Sequence, residues 1–213
     1  MEVEPVRSEA LVKEEHYFSE EPTSRVKPRE IRLLFNGRIY RFHTAGGVFA
    51  TEGLDPGTAL LVENMVLEGT ESVLDLGCGW GPIGIAAGLL LSRGKVVMVD
   101  VNRRALWLAK KNVREAGLSN VEIRAGSLYE SVGEEKFDVI ATNPPYHAGR
   151  ETILRILDEA PAHLREGGRL LMVGKGAQGM IFYQGYLEEH WTDVQVLGRR
   201  GGYRVVMARH PKS

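Results

Sequence analysis

The chain is predicted to form an α/β domain in which a mostly parallel sheet is covered by helices on both faces. Three features carry that expectation. From about residue 58 onward, short apolar runs alternate with helix-length segments, the order that strand-helix units produce. The runs are apolar almost without interruption, as strands buried on both faces must be. The last two, residues 194–197 and 203–208, are joined only by Gly198-Arg-Arg-Gly-Gly202, which is too short for a crossover helix and sets them antiparallel.

Taken in order, residues 1–30 are polar, carry Pro5, Pro22 and Pro28, and read as an N-terminal arm without a core of its own; His16-Tyr-Phe18 is its aromatic cluster. Residues 31–43 read as a β-hairpin, because apolar alternation flanks Asn36-Gly37 and a type I′ turn wants positive φ at both central positions. Arg32, Arg38 and Arg41 give it a basic character. A glycine-rich connection, residues 46–57, leads to a helix expected over 59–67, capped by Asp55 or Thr58 and closed by Gly69. The domain proper is expected to span 31–213, with its sheet core in 58–213. Further strands are expected at 72–76, 95–100, 120–124, 137–142 and 169–173, with helices in the gaps. Pro82 suits the first position of one helix, where its missing N–H costs nothing. Asn102 caps another and Gly117 ends it. Trp80 and Trp107 are expected in the core or in helix packing.

Bulk properties narrow the functional classes. The chain has 213 residues, 43% of them apolar and 26% charged, as in a globular protein. A net charge of -1 argues against wholesale electrostatic attachment to nucleic acid or membrane, while leaving room for a local basic patch. Cys78 is the single cysteine, so neither an internal disulfide nor a thiolate metal cage is available, and the histidines lack metal-ligand spacing. The longest apolar run, residues 83–91, is too short to span a bilayer. The acidic start, Met1-Glu-Val-Glu4, lacks the basic and apolar regions of a signal peptide, so a cytoplasmic protein is expected.

Two segments carry chemistry. The first is Val73-Leu-Asp-Leu-Gly-Cys-Gly-Trp-Gly-Pro-Ile-Gly84, where glycines let the backbone turn tightly and approach a ligand. Read from Gly79 it fits the dinucleotide fingerprint G-x-G-x-x-G, with Asp100 ending the next strand. Asp75, just before the glycines, favours S-adenosylmethionine (SAM) instead. Its carboxylate suits an ammonium or a sulfonium and would repel a pyrophosphate. Asp100 can accept from both ribose hydroxyls, which the two cofactors share. Gly126-Ser127-Leu128 follows the third strand, where an adenine edge would lie. The expected cofactor set is Asp75, Gly77, Cys78, Gly79, Asp100, Val101, Ser127, Leu128 and Asn143.

The second segment is Phe137-Asp-Val-Ile-Ala-Thr-Asn-Pro-Pro-Tyr-His147, a buried strand that stops at a stiff proline corner. Proline carbonyls and the Asn143 side chain are expected to point outward, unused by any ladder. A planar group carrying an NH2 can lie against Tyr146 and give its N–H bonds to the Asn143 oxygen and the Pro144 carbonyl. Asn143, Pro144 and Tyr146 are therefore the expected catalytic residues, with His147 and Lys175 as substrate contacts. Arg25, Lys27, Arg29, Arg32, Arg199 and Arg200 are candidates for phosphate contacts. No metal is expected.

With these residues in view, the chain resembles class I SAM-dependent methyltransferases, and among them the small-domain, RsmC-like ribosomal small-subunit RNA guanine-N2 methyltransferases. The resemblance rests on Gly47-Val-Phe49, Leu54-Asp-Pro-Gly-Thr58, Asp75-Leu-Gly-Cys-Gly79, Asn143-Pro-Pro-Tyr-His147, Gly167-Gly168 and Gly201-Gly-Tyr-Arg204. It implies a Rossmann-like sheet of seven strands with the last antiparallel, and SAM bound at the carboxyl ends of the strands. It implies methylation of guanine N2 in RNA, ribosomal RNA before tRNA. Bacterial members often carry a second, degenerate half, for which this chain is too short. The Asn-Pro-Pro-Tyr corner equally serves a protein glutamine-N5 or an adenine-N6 methyltransferase. An NAD-dependent reductase, or an RNA-binding assembly factor with a relic SAM site, are the readings from other classes.

Overall fold

The computed structural model describes residues 28–35, 37–50 and 53–212. The predicted arm up to residue 27, with Arg25 and Lys27, and the turn residue Asn36 lie outside the described residues. The hairpin consists of β1 (Arg29–Phe35) and β2 (Arg38–Thr44), paired antiparallel with Leu34 opposite Ile39. Helix α1 (Pro56–Asn64) follows, then β3 (Ser72–Leu76), α2 (Pro82–Leu90), β4 (Lys95–Asp100), α3 (Arg103–Glu115), β5 (Val121–Ala125) and β6 (Phe137–Thr142). The chain continues through α4 (Arg150–Glu159), β7 (Leu164–Lys175), α5 (Met180–His190), β8 (Trp191–Arg200) and β9 (Tyr203–Pro211).

The main sheet has seven strands in the order β5-β4-β3-β6-β7-β9-β8. All pairings are parallel except those of β9, which runs antiparallel to both β7 and β8. The expected fold class therefore holds, including the antiparallel last strand. Side chains alternate between two cores, as the two-residue strand period requires. Val73, Met98, Val139 and Leu171 face the layer of α1, α2 and α3, while Leu74, Val97, Ile140 and Leu170 face α4 and α5. Helix α2 is apolar nearly all round because it is buried nearly all round, from Ile83 to Gly88. Gly84 permits that depth: a Cβ there would stand 2.5 Å from Met98 Cγ.

Several elements differ from expectation. Helix α1 begins at Pro56 and ends at Asn64, earlier than the predicted 59–67, because Asp55 caps it and Pro56 supplies a ready-made first helical residue. Met65 turns extended and buried, so Gly69 does not close the helix; its carbonyl instead accepts from Arg93 and Gly94 ahead of β4. Strands β8 and β9 run longer than their apolar cores, since antiparallel pairing from Trp191↔Pro211 to Arg200↔Tyr203 carries the ladder past the apolar residues, and β7 starts early at Leu164, opposite Phe137 of β6. Trp80 is buried as expected. Trp107 is 50% exposed, because the buried stripe of α3 passes through Leu106, Leu108, Ala109 and Val113.

The hairpin docks on α3 through a polar anchor rather than through apolar packing alone. Fully buried Asn112 accepts from His43 N at 2.7 Å and donates to His43 O at 3.0 Å and Trp80 O at 2.8 Å. Replacing this side chain leaves three backbone groups without their partner in a largely buried site, each costing roughly 1–3 kcal/mol before relaxation. Asn112→Ala is expected to lower unfolding free energy by roughly 2–4 kcal/mol in urea denaturation. A loss under about 0.5 kcal/mol would show that the anchor contributes nothing.

Candidate active site

Where the order of the strands reverses, β3 and β6 lie side by side and end at the same edge. Ligands in open α/β sheets bind in such a crevice. A cavity of about 320 Å³ occupies it here. The glycine loop after β3, the end of β4, the Gly126-Ser127-Leu128 turn and the proline corner after β6 all line it, together with Phe49, Asp55, Thr58 and Tyr203. Among the described residues that line it there is no Lys or Arg.

The loop is held from below. Gly77 and Cys78 both donate to Val99 O at 2.9 Å, and Gly77 takes φ +74°, a conformation that favours glycine. A Cβ at Gly77 would meet nothing within 4 Å, so the backbone there borders open space. Asp100, at the end of β4, accepts from Gly79 N through Oδ2 and from Asn102 N through Oδ1, both at 2.8 Å. It therefore fixes the loop to the next strand while still lining the cavity. Asn102 caps α3, accepting from Arg104 N and Ala105 N, and its Nδ2 reaches back to Gly47 O at 3.0 Å. Arg104 Nη1 holds Gly46 O at 2.6 Å, so the segment bearing Phe49 is tied to the same helix terminus.

Of the expected cofactor residues, Gly77, Cys78, Gly79, Asp100, Val101, Ser127, Leu128 and Asn143 line the cavity. Asp75 does not. It is fully buried beneath the loop, where Oδ2 accepts from Gly84 N at 2.8 Å and Oδ1 has no partner. Desolvation, opposed by the Gly84 bond and reinforced by the negative charge of Asp100, raises its pKa to about 7. Its direct contact with this structure is thus with α2, not with the cavity. Cys78 is buried as well, and burial with the neighbouring acids pushes its thiol well above the ordinary range, which favours the protonated thiol.

At the proline corner, the expected exposed carbonyls are engaged locally. Pro144 O accepts from Tyr146 N at 2.9 Å and Pro145 O accepts from Ala148 N at 2.8 Å. Pro145, at φ -74° and ψ 81°, bends the chain in an inverse γ-turn that satisfies the Pro144 carbonyl, and the 3-10 turn Tyr146–Ala148 that follows satisfies the Pro145 carbonyl. Pro144 O keeps its second lone pair. Tyr146 is not a free platform either: its hydroxyl donates to Val173 O at 3.0 Å and approaches Met180 Sδ. Burial holds this phenol protonated by raising its pKa. The ring still lines the cavity, beside exposed His147. Lys175 stands outside the lining, with Nζ 5.6 Å from the Tyr203 ring centroid. Arg32 and Arg200 are paired with Glu30 and Glu63.

Asn143 is locked from the side. Its Nδ2 donates to Asp55 Oδ2 at 3.0 Å and to Thr58 Oγ1 at 2.9 Å. Its two amide protons are thereby used, and Oδ1 remains as the open end of a residue that lines the cavity. Asp55 and Thr58 were legible as capping residues of α1, and Tyr203 as the start of a strand. Nothing local in the sequence shows that they meet Asn143.

Comparison with known proteins agrees with this geometry. The profile of the family described as "Methyltransferase small domain" matches residues 39–207. The chain is 32% identical to the uncharacterized protein YbxB of Bacillus subtilis, over 92% of this chain and 98% of that protein. It is 34% identical to Ribosomal RNA small subunit methyltransferase C of Haemophilus influenzae, over 77% of this chain and 49% of that protein. Among solved structures, the T. thermophilus 16S rRNA N2 G1207 methyltransferase in complex with AdoMet and guanosine superposes with a TM-score of 0.76 at 27% identity, covering 89% of this chain and 52% of that one. The chain thus spans about half the length of the ribosomal RNA methyltransferases it matches.

The buried acid makes a testable difference to stability. Between the unfolded value of 3.8 and the folded value of about 7, Asp75 is protonated when folded and ionised when unfolded, so unfolding releases a proton. Its contribution is fully present below the unfolded value and is lost as pH rises through the folded one. Compared with Asp75→Asn in urea melts without ligand, wild type is expected to lose ground steadily from about pH 4 to about pH 7. Parallel stability profiles would refute a raised Asp75.

Proposed function

The chain belongs to the methyltransferase small domain family, and on that premise we propose that it is a SAM-dependent methyltransferase acting on the exocyclic N2 of guanine in RNA, small-subunit ribosomal RNA in particular. The observation that carries the reading is the locked Asn143 amide: its NH2 is taken by Asp55 and Thr58, the residue lines the cavity, and the oxygen left over can only accept. An amino group with two N–H bonds is the complementary partner.

The residues present fit the cofactor. Gly77 brings open backbone to the cavity wall, and Asp100 offers a nearly buried carboxylate there, suited to ribose hydroxyls. Val101, Ser127 and Leu128 line the far side, where an adenine would lie. A lining without Lys or Arg among the described residues, over a buried acid, suits a cationic donor better than a dinucleotide pyrophosphate. When bound, SAM supplies an electrophilic methyl group on its sulfonium.

The chain's own residues then do the positioning. Guanine N2 is a weak nucleophile because its lone pair is delocalised into the ring. Asn143 Oδ1 and the second lone pair of Pro144 O accept its two N–H bonds, orient the nitrogen, and stabilise the positive charge that develops on it. No strong base is needed, since a methylated, positively charged amine loses its proton readily. Tyr146 offers a ring face to a base taken out of its helix or loop, its tilt fixed by the bond to Val173 O. His147, exposed at the mouth, is placed to meet the nucleotide's outer edge. Lys175 is a contact for more distant phosphate, outside the cavity itself. Among the described residues no helix is long and apolar enough to cross a membrane, which accords with an enzyme that meets ribosomal RNA in the cytoplasm.

Labelled SAM, unmodified small-subunit ribosomal RNA and digestion to nucleosides test the reading directly, with N2-methylguanosine as the expected product. Asn143→Ala should lower kcat by about 10²–10³-fold while leaving SAM affinity nearly intact. Turnover at the wild-type rate would sink the mechanism. Asp100→Ala should weaken SAM binding by about 10-fold or more in calorimetry, the effect of losing hydrogen bonds to a charged group. Unchanged titration would remove its ribose role.

A further inference from the structure

A side-chain amide can sit in a site two ways, differing by a flip that exchanges its oxygen for its NH2 at almost no steric cost. For Asn143 the two ways are chemically opposite. One presents an acceptor to an incoming amine, and the other presents two N–H bonds against it. The surrounding structure decides between them. Asp55 Oδ2 is 3.0 Å from Nδ2, and a carboxylate can only accept, so the flipped amide would set oxygen against oxygen. Thr58 Oγ1 takes the second amide proton at 2.9 Å.

Asp55 is itself overdetermined. The same Oδ2 accepts from Thr58 N at 2.8 Å as the N-cap of α1, and Oδ1 accepts from the Tyr203 hydroxyl at 3.3 Å. Tyr203 packs against the first turn of α1, where a Cβ on Gly57 would approach its ring to 2.7 Å. Three segments distant in sequence, α1, the β6 corner and the start of β9, meet on one carboxylate.

We propose that Asp55 and Thr58 are positioning residues that hold Asn143 in its acceptor-only orientation, so that the site takes nitrogens bearing hydrogens and rejects groups that only accept, such as a ring nitrogen or a carbonyl oxygen. The proposal rests on the amine-accepting reading above and assigns the residues that enforce it. The effect falls on kcat rather than KM, because the bonds accepted by Asn143 strengthen as charge develops on the nitrogen.

The test compares three variants with wild type and with Asn143→Ala. Thr58→Val keeps the shape and removes one acceptor. Asp55→Gly removes the carboxylate while remaining an acceptable N-cap. Asp55→Asn is the conservative control. To cap α1 its oxygen must face Thr58 N, the place from which Asp55 now also receives Asn143, so the lock survives. The primary readout is hydrogen exchange of the Asn143 side-chain NH2 in nitrogen-15 spectra of the cofactor-free protein, assigned by its absence in Asn143→Ala. The second is kcat and KM on unmodified small-subunit ribosomal RNA, with SAM affinity by calorimetry.

Thr58→Val and Asp55→Gly are expected to lose exchange protection and about 10–100-fold in kcat, with KM and SAM affinity within about twofold. Asp55→Asn is expected to keep both protection and a rate within about fivefold of wild type. An Asn143 amide that exchanges freely in wild type, or protection lost with kcat unchanged, overturns the inference while the amine-accepting reading stands. Wild-type turnover by Asn143→Ala overturns that reading and the inference together.

Discussion

The parallel pairing of β3 with β6 is the constraint on which the site depends. Val73 lies opposite Val139 and Asp75 opposite Ala141, so the glycine loop and the Asn-Pro-Pro-Tyr corner leave the sheet at the same edge. The Thr142 hydroxyl closes the junction by donating to Leu76 O at 2.8 Å. A slip of one residue would turn every side chain of β6 to the other face and exchange its partners between the two cores. Close packing resists that, because each face is buried against a different set of helices and filled by its own side chains. The site is therefore assembled by the same packing that stabilises the sheet.

Three aspartates then divide the work of holding it. Asp55 and Asp100 each accept two or more bonds from neighbouring segments, and each thereby fixes a backbone that borders the cavity. Asp75 has one bond and an orphaned oxygen, and its burial, which that one bond offsets only in part, raises its pKa. A buried, partly satisfied carboxyl beneath the loop disfavours stability at neutral pH. Lys175 and Arg199, cationic candidates of the sequence, stand beyond the lining.

Much of the fold was legible because it follows from local and periodic features. The strands at 72–76, 95–100 and 137–142 were marked by continuous apolar runs, and Asn102, Pro82 and Gly117 by end rules that depend only on neighbouring residues. Segments whose limits depend on a partner were less legible. Strands β8 and β9 extend through polar residues because each satisfies the other's backbone, and α1 ends early because Met65 turns toward the core. The proline corner shows the same divide. Its stop to the strand was visible, whereas the capture of both proline carbonyls by the following turn depends on dihedral angles that the residue names do not fix.

By itself, the sequence determined the α/β class, the glycine loop with Asp100 behind it, and a corner whose Asn143 suits an amine. Those properties lie in residue types and spacings within single segments, where steric and periodic rules act. Only the tertiary structure decided that Asp75 is buried against α2 and that Tyr146 is tethered by its hydroxyl. It alone decided that Asp55, Thr58 and Tyr203 close around Asn143. These are contacts between residues far apart in the chain, and their directions follow from how α1 and β9 pack over the sheet rather than from any local preference. The orientation of one amide, on which the proposed chemistry turns, belongs to that second group.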